Sequence, residues 1–85
     1  MQILYKPSFV REFKKLPEEL KEAALERIEL FKDPSNHDKL KVHKLKGKLK
    51  DFYSFSATYS HRIVFMYEQK ETVVFLAIGD HSVYK

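Results

Sequence analysis

The chain has 85 residues, no cysteine and a formal net charge of +4, a length that suits one domain with a small core. Without cysteine, disulfides, thiolate nucleophiles and cysteine-based zinc sites are excluded. The longest uncharged apolar run, residues 72–79, is too short to span a bilayer. We therefore expect a single domain over residues 1–85 that is cytoplasmic and has no membrane partner.

The first half of the chain predicts a short strand and two helices. Residues 2–6 suit the strand, and Pro7 then offers a helix start with Ser8 as its cap. Apolar residues at helical spacing continue as far as Pro17, which ends this helix and suits the first turn of a second one. The second helix is predicted over residues 18–32, and the two helices should form a hairpin.

In the second half the apolar spacing changes from about 3.6 to 2, which indicates a sheet. The alternation begins in residues 39–43, and Gly47 marks a turn or bulge. Three further strands are predicted at residues 52–58, 61–68 and 72–79. Because consecutive strands joined by short turns pair antiparallel, the predicted fold class is α+β, in the order β-α-α-β-β-β. Its antiparallel sheet should carry the helical hairpin on one face and leave the other partly open.

The strand alternation assigns side chains to the two faces of this sheet. Those predicted to face the helices are Phe55, Ala57, Ile63 and Phe65, and those predicted on the open face are Ser54, Ser56, Thr58, Arg62, Val64 and Met66. Arg62 stands out because a planar guanidinium suits bidentate contact with a phosphate. The alternative is a surface arginine that pairs with an acidic neighbour.

The net positive charge lies in the second half, where six lysines fall between Lys39 and Lys50. Such a run attracts polyanions by summed Coulomb energy and counterion release, so nucleic acid is the first partner to consider and an anionic membrane surface the second. The alternative is a solvated edge strand whose charges prevent aggregation, although one or two lysines would be enough for that. The residues predicted to bind nucleic acid are Lys41, Lys44, Lys46, Lys48, Lys50, Ser54 and Ser56.

Two histidines are candidates for acid–base chemistry. His43 lies inside the lysine run, and His81 follows the last strand, with Tyr84 three residues later. RNA is cut without a metal when one group removes the proton of the ribose 2′-hydroxyl, another protonates the leaving oxygen, and cations stabilise the phosphorus. Histidine suits both proton roles because its unperturbed pKa is about 6.5. The alternative, a surface or packing role, applies to either histidine and is the one expected for His37 and His61.

The other candidates near the end of the chain are weaker. Tyr84 either stacks on a base or holds a phosphate, or it is a half-buried tail residue. A metal site built from His43, Asp80 and His81 lacks any recognised ligand spacing. We therefore expect no metal and no cofactor.

The opening strand with its helical hairpin is followed by the element HKLKGKLKDFYSF, the strand HRIVF and the ending FLAIGDHSVYK. In their order and spacing, these motifs resemble the RelE/ParE superfamily of toxins from bacterial toxin–antitoxin pairs. The resemblance covers almost the whole chain. It implies one of two activities: RelE-like members are ribosome-dependent endoribonucleases that cut mRNA in the decoding site, whereas ParE-like members poison DNA gyrase.

The resemblance also implies roles for individual residues. The arginine that opens the HRIVF-type strand binds the scissile phosphate in RelE-like enzymes, and this position is Arg62. The histidine-using branch typified by YafQ has an H-x-L-x-G motif, matched by residues 43–47, and a C-terminal histidine, matched by His81. Where the RelE type carries lysines on the following strand, this chain has Ser54 and Ser56, so the resemblance favours histidine chemistry.

We therefore expect a type II toxin that cleaves mRNA on the ribosome by metal-free attack of the ribose 2′-hydroxyl. Its expected partners are mRNA, ribosomal RNA and a cognate antitoxin protein laid over its basic surface, and the free toxin is expected to be a monomer. The alternatives are a ParE-like inhibitor of DNA gyrase and a catalytically degenerate RNA-binding relative.

Overall fold

The computed structural model describes residues 1–47 and 51–80. Within this part, the elements in chain order are β1 (Gln2–Tyr5), α1 (Pro7–Lys14), α2 (Glu18–Phe31), a short 3₁₀ helix (Pro34–Asn36), β2 (His43–Lys44), β3 (Tyr53–Ser56), β4 (Arg62–Gln69) and β5 (Thr72–Gly79). The predicted α+β class, with a helical hairpin beside a sheet, is confirmed. None of the helices in the described part is long and apolar enough to cross a membrane.

The strands form one sheet in the order β1-β5-β4-β3-β2. Neighbours from β2 to β5 pair antiparallel, as predicted, but β1 pairs parallel with β5, in a register that places Gln2 opposite Thr72. The prediction of an antiparallel sheet is therefore wrong for this pair. No tight turn connects β1 to β5; the helices and three strands lie between them, so the chain can return in the same direction.

Helix α1 starts differently from the prediction. Pro7 occupies its first turn, where the fixed φ of proline suits a helix and its missing N–H has no partner to lose. Ser8 is therefore already inside the helix and does not cap it; its hydroxyl donates to the carbonyl of Leu76 on β5 at 2.9 Å. One turn later, the Glu12 carboxylate accepts from the N–H of Ile78 at 3.2 Å. Two side-chain hydrogen bonds thus attach α1 to β5.

An aromatic cluster joins α2 to the sheet. The ring of Phe31 lies 4.6 Å from that of Phe55, 5.0 Å from that of Phe65 and 5.5 Å from that of Phe75. All four side chains are fully buried. The side chains predicted to face the helices are buried in the same core, which confirms this part of the face assignment. Offset and edge-on aromatic pairs of this kind hold α2 in place across β3, β4 and β5.

Residues 39–43, where the alternation begins, are mostly a turn, and β2, a fourth strand after the helices that the predicted order lacks, contains only His43–Lys44. Lys41 adopts a left-handed backbone with φ of 59°, which a strand does not tolerate. Its N–H donates to the carbonyl of Asp38 at 3.1 Å, a local hydrogen bond that closes the turn. Leu40 is buried in the core at 1% exposure and the partly buried Val42 packs against the core, so the alternation reflects two side chains that reach the core from a turn.

The face of the sheet opposite the helices is less open than predicted. Of the six residues assigned to it, Ser56, Arg62 and Met66 are partly exposed, whereas Ser54, Thr58 and Val64 are buried. Thr58 turns inward because its hydroxyl accepts from the N–H of His61 at 3.0 Å inside the turn between β3 and β4. Ser54 lies opposite His43 on β2 and contacts its ring.

Candidate nucleic-acid interface and active site

The strand register places His43, Ser54, Ser56 and Arg62 on one face of the sheet. His43 is opposite Ser54, and Ser56 is opposite Arg62 one pleat further along β3. Two strand spacings and a two-residue step separate the Cα atoms of His43 and Arg62, which gives about 12 Å. The two predicted site residues therefore share a face and lie two strands apart.

The ring of His43 has a defined orientation. Its Nδ1 lies 2.8 Å from the carbonyl oxygen of Lys41, and its Nε2 lies 3.4 Å from the hydroxyl oxygen of Ser54. Because a carbonyl oxygen only accepts hydrogen bonds, Nδ1 must carry the proton. In the neutral ring, Nε2 is then free of a proton on an exposed side chain, which is the form that a general base requires.

Arg62 borders a cavity that we call the basic cleft. This cleft has a volume of about 250 Å³ and is lined by Arg27, Lys39, Lys41, Ser56, Thr58, Tyr59 and Arg62. Its residues come from α2, from the turn before β2 and from the β3–β4 hairpin. Four of them are cations, and no described carboxylate lines it, so the cleft has the character of an anion site.

Arg62 also borders a second cavity, of about 400 Å³, together with Tyr59, Ser60 and Asp80. Its guanidinium donates one hydrogen bond, from Nη1 to the carbonyl of His61 at 3.3 Å. The ion pairs found within residues 1–47 and 51–80 join Glu18 to Lys21 and Glu29 to Lys32. Asp80 lines the same cavity as Arg62, so the alternative in which Arg62 pairs with an acidic neighbour stays open.

The predicted lysines divide between different surfaces. Lys41 lies in the basic cleft, whereas Lys44 is opposite Tyr53 and, being next to His43 on β2, points to the other side of the strand. Lys46 is exposed, and Gly47, with φ of +70°, provides the predicted turn. Lys48, Lys50, His81 and Tyr84 lie outside the described residues.

The two histidines expected to be structural both have structural partners. Nε2 of His37 lies 2.9 Å from the carbonyl oxygen of Phe31, and the two rings stack at 4.6 Å. Nδ1 of His61 lies 2.9 Å from the hydroxyl of Ser60 within the β3–β4 turn. The described residues contain no cluster of three potential metal ligands, and the metal site weighed from the sequence includes His81, which lies outside them.

Sequence reasoning missed three residues of the cleft: Arg27, Lys39 and Tyr59. A signal existed for Arg27, because on α2 it is three residues after the buried Ala24 and four before the buried Phe31. Residues at these spacings are neighbours on a helix surface, so Arg27 projects from the border of the core-facing stripe. Lys39 and Tyr59 gave no such signal, since their positions depend on two turns.

The helical hairpin packed on a sheet of five strands is a fold that this chain shares with solved structures of toxin–antitoxin complexes. The YoeB–YefM complex from Staphylococcus aureus aligns with a TM-score of 0.73 and 18% identity over 95% of this chain and 97% of that chain. The RelBE2 toxin–antitoxin complex from Mycobacterium tuberculosis aligns with a TM-score of 0.70 and 18% identity over 94% of this chain and 96% of that chain. The archaeal RelE–RelB complex from Pyrococcus horikoshii OT3 aligns with a TM-score of 0.70 and 22% identity over 93% of this chain and 92% of that chain.

At these identities the structural likeness establishes the fold. The family follows from the sequence: the model of the ParE toxin of the type II toxin–antitoxin system, parDE, matches residues 3–83. The chain therefore belongs to this family of type II toxins, which confirms the predicted resemblance to the RelE/ParE superfamily. No curated protein matches the chain.

Proposed function

We propose that this toxin is an mRNA endoribonuclease that acts on the ribosome by metal-free acid–base chemistry. One observation supports this activity above others: His43 lies on the sheet face that also carries Arg62, and the contact of its Nδ1 with the Lys41 carbonyl leaves Nε2, beside the Ser54 hydroxyl, as the nitrogen that accepts a proton in the neutral ring. Beside them, the basic cleft offers cations and hydroxyls for a phosphodiester backbone. A separation of about 12 Å between the two Cα atoms lets long side chains approach one nucleotide from two sides.

In the proposed reaction, Nε2 of His43 takes the proton of the ribose 2′-hydroxyl. The 2′-oxygen attacks phosphorus, the bond from phosphorus to the 5′-oxygen breaks, and His81 gives a proton to that leaving oxygen. The products are a 2′,3′-cyclic phosphate and a 5′-hydroxyl end. Arg62 holds the non-bridging oxygens of the scissile phosphate as their charge grows, a role that is worth about 10²- to 10³-fold in rate for one well-placed donor. Tyr84 is proposed to stack on a base or hold a phosphate.

The proposed partners follow from the charge. The proposed contacts to the backbone of the message or of ribosomal RNA are made by Lys41, Lys44, Lys46, Lys48 and Lys50, with Ser54 and Ser56 beside them. An antitoxin protein is proposed to cover this basic surface, since the similar solved structures include complexes of toxins with their antitoxins.

The test is to induce the chain in cells that lack an antitoxin and to map mRNA 5′ ends during translation. Wild-type protein should generate new 5′-hydroxyl ends inside reading frames, and both His43→Ala and Arg62→Ala should abolish them. Arg11→Ala is the matched control, because Arg11 is an exposed arginine on α1, away from the sheet face. Normal growth with intact mRNA in the presence of wild-type protein contradicts the proposal.

Inhibition of DNA gyrase is the second candidate, and the match to the ParE family model favours it. Inhibition by contact with gyrase needs no acid–base pair. The two activities are therefore separated by comparing wild-type protein with His43→Ala, both for toxicity in cells and for inhibition of gyrase in a supercoiling assay. A nuclease loses its toxicity in the variant, whereas a gyrase inhibitor keeps both its toxicity and its inhibition of supercoiling. Salt-sensitive RNA binding with neither activity would identify a degenerate toxin.

A further inference from the structure

The basic cleft contains cations that the proposed reaction does not use. Arg27 comes from α2 and Lys39 from the turn before β2, yet both line the same cavity as Arg62. Like charges brought together repel each other unless an anion lies between them. Since no described carboxylate lines the cleft, its own side chains do not relieve this repulsion. A negatively charged ligand would do so.

The size of the cleft limits the kind of anion. Its volume of about 250 Å³ corresponds to about eight water molecules at ~30 Å³ each. This is more room than one phosphate group requires. A phosphate together with its sugar fits such a volume better, which points to a nucleotide rather than a free inorganic ion.

Tyr59 adds a flat surface at the mouth of the cleft. Its side chain is 99% exposed, and it borders both the basic cleft and the second cavity next to Arg62. The turn that carries it is held by the hydroxyl of Thr58, which accepts from the N–H of Ser60 at 3.2 Å and from that of His61 at 3.0 Å. An aromatic ring presented in this way beside a phosphate site suits stacking on an unpaired base.

We propose that the basic cleft and Tyr59 form a subsite for the nucleotide adjacent to the one whose phosphate Arg62 binds. Arg27 and Lys39 contact the backbone phosphate of this neighbouring nucleotide, and Tyr59 stacks on its base. The ligand is single-stranded RNA, since a paired base has no free face to offer Tyr59. That this RNA is mRNA rests on the proposed function. The subsite itself is a further binding site, separate from the atoms that react.

The test measures binding without cleavage. The probe is a nine-residue, fluorescein-labelled 2′-O-methyl oligoribonucleotide, which has no 2′-hydroxyl proton and is not cleaved by the proposed route. Its affinity for the full chain is followed by fluorescence anisotropy over a series of salt concentrations. Each phosphate contact on a single strand contributes about 0.7 to the slope of log K against log salt. Arg27→Gln should reduce the slope by about that amount, and the matched control Arg11→Gln should leave it unchanged.

The stacking role has its own pair of variants. Tyr59→Ser should weaken binding by about five- to a hundredfold, and Tyr59→Phe should retain wild-type affinity, because base stacking needs the ring and not the hydroxyl. Wild-type affinity in Tyr59→Ser overturns the stacking assignment. Equal slopes for Arg27→Gln and Arg11→Gln overturn the phosphate assignment. If polyglutamate of nine residues competes as well as the unlabelled oligonucleotide, the cleft binds an acidic protein segment and the proposal fails.

Failure of this subsite is distinguishable from failure of the proposed nuclease. If wild-type protein leaves mRNA intact while Arg27→Gln has a smaller slope of log K against log salt, the subsite is supported and the nuclease activity is not. If wild-type protein cleaves mRNA and Arg27→Gln cleaves it with unchanged KM, the nuclease stands and the subsite does not. Circular dichroism of each variant confirms that the fold is retained.

Discussion

Replacing Lys41 by glycine should stabilise the fold relative to replacing it by alanine, although both changes remove the same charge. Lys41 has φ of 59°, a conformation that costs a residue with a Cβ atom about 1–2 kcal/mol and costs glycine almost nothing. Glycine also gives the unfolded chain more freedom, which offsets about 0.4–1 kcal/mol of this advantage. The net advantage of Lys41→Gly over Lys41→Ala is about 0.8 kcal/mol, which raises Tm by about 3–6 °C in a domain of this size.

Differential scanning calorimetry and urea unfolding measure this difference directly. Because the two variants lack the same ammonium group, they should bind RNA equally weakly, and this equality separates the backbone effect from the loss of charge. If Lys41→Gly melts at or below the temperature of Lys41→Ala, the left-handed conformation at this turn does not carry the inferred strain and the reasoning is refuted.

Three further predictions concern activity, the core and pH. His43→Ala should slow single-turnover mRNA cleavage on ribosomes by about 10²- to 10⁴-fold. A decrease in the cleavage rate of less than tenfold would contradict a role of His43 in proton transfer. Phe31→Ala should lower the free energy of unfolding by about 3–5 kcal/mol, because the fully buried ring packs on three sheet phenylalanines; urea unfolding that shows a loss below about 2 kcal/mol would contradict the central role of this ring. Burial, and then the nearby Tyr53, raise the pKa of Tyr67 above its ordinary value of 10.0, so the folded state holds this proton more tightly than the unfolded chain does. The resulting stability is present below about pH 10 and disappears as the pH rises through the raised pKa. In urea unfolding, Tyr67→Phe should therefore lose less of its free energy of unfolding at alkaline pH than the wild type does, and an equal loss in both proteins would refute the contribution of Tyr67.

Local pattern was enough to predict the helices and most strands. The pattern predicts the second helix over residues 18–32, and the helix is found at Glu18–Phe31, because a proline and acidic residues start it and an Asp-Pro pair follows it. The core faces of β3 and β4 were also correct, since alternation along a strand is a property of the strand alone.

Features that depend on distant parts of the chain were missed. The parallel partner of β1 is a strand near the other end of the described chain, and no local pattern reports that pairing. The alternation of Leu40 and Val42 with lysines is typical of a sheet, yet this segment forms the turn before β2. Insertion of Leu40 into the core and the left-handed backbone of Lys41 decide this turn instead. Arg27 could be placed beside the core stripe from sequence, but not in the basic cleft.

For the candidate site, sequence reasoning proposes His43 and Arg62, but their position on a common face follows only from the strand register. The tautomer of His43 could not be predicted, because it depends on where the carbonyl of Lys41 points after the turn forms. The exposure of Ser54 was also misjudged, since alternation gives the face of a side chain and not what lies over it.

The position of β5 between β1 and β4 has a consequence for how the toxin is made. Both neighbours are synthesised before β5, and β1 waits for Thr72 and the residues after it before its backbone can pair. A chain that is still being translated up to β4 lacks the strand to which β1, α1 and β4 all attach. A contact between residues far apart in sequence forms late, because the intervening chain must be present and its loop closed, and the pairing of β1 with β5 is such a contact. An incomplete translation product of this toxin therefore cannot complete the sheet that carries His43 and Arg62, and the cell meets an assembled site only after β5 has left the ribosome.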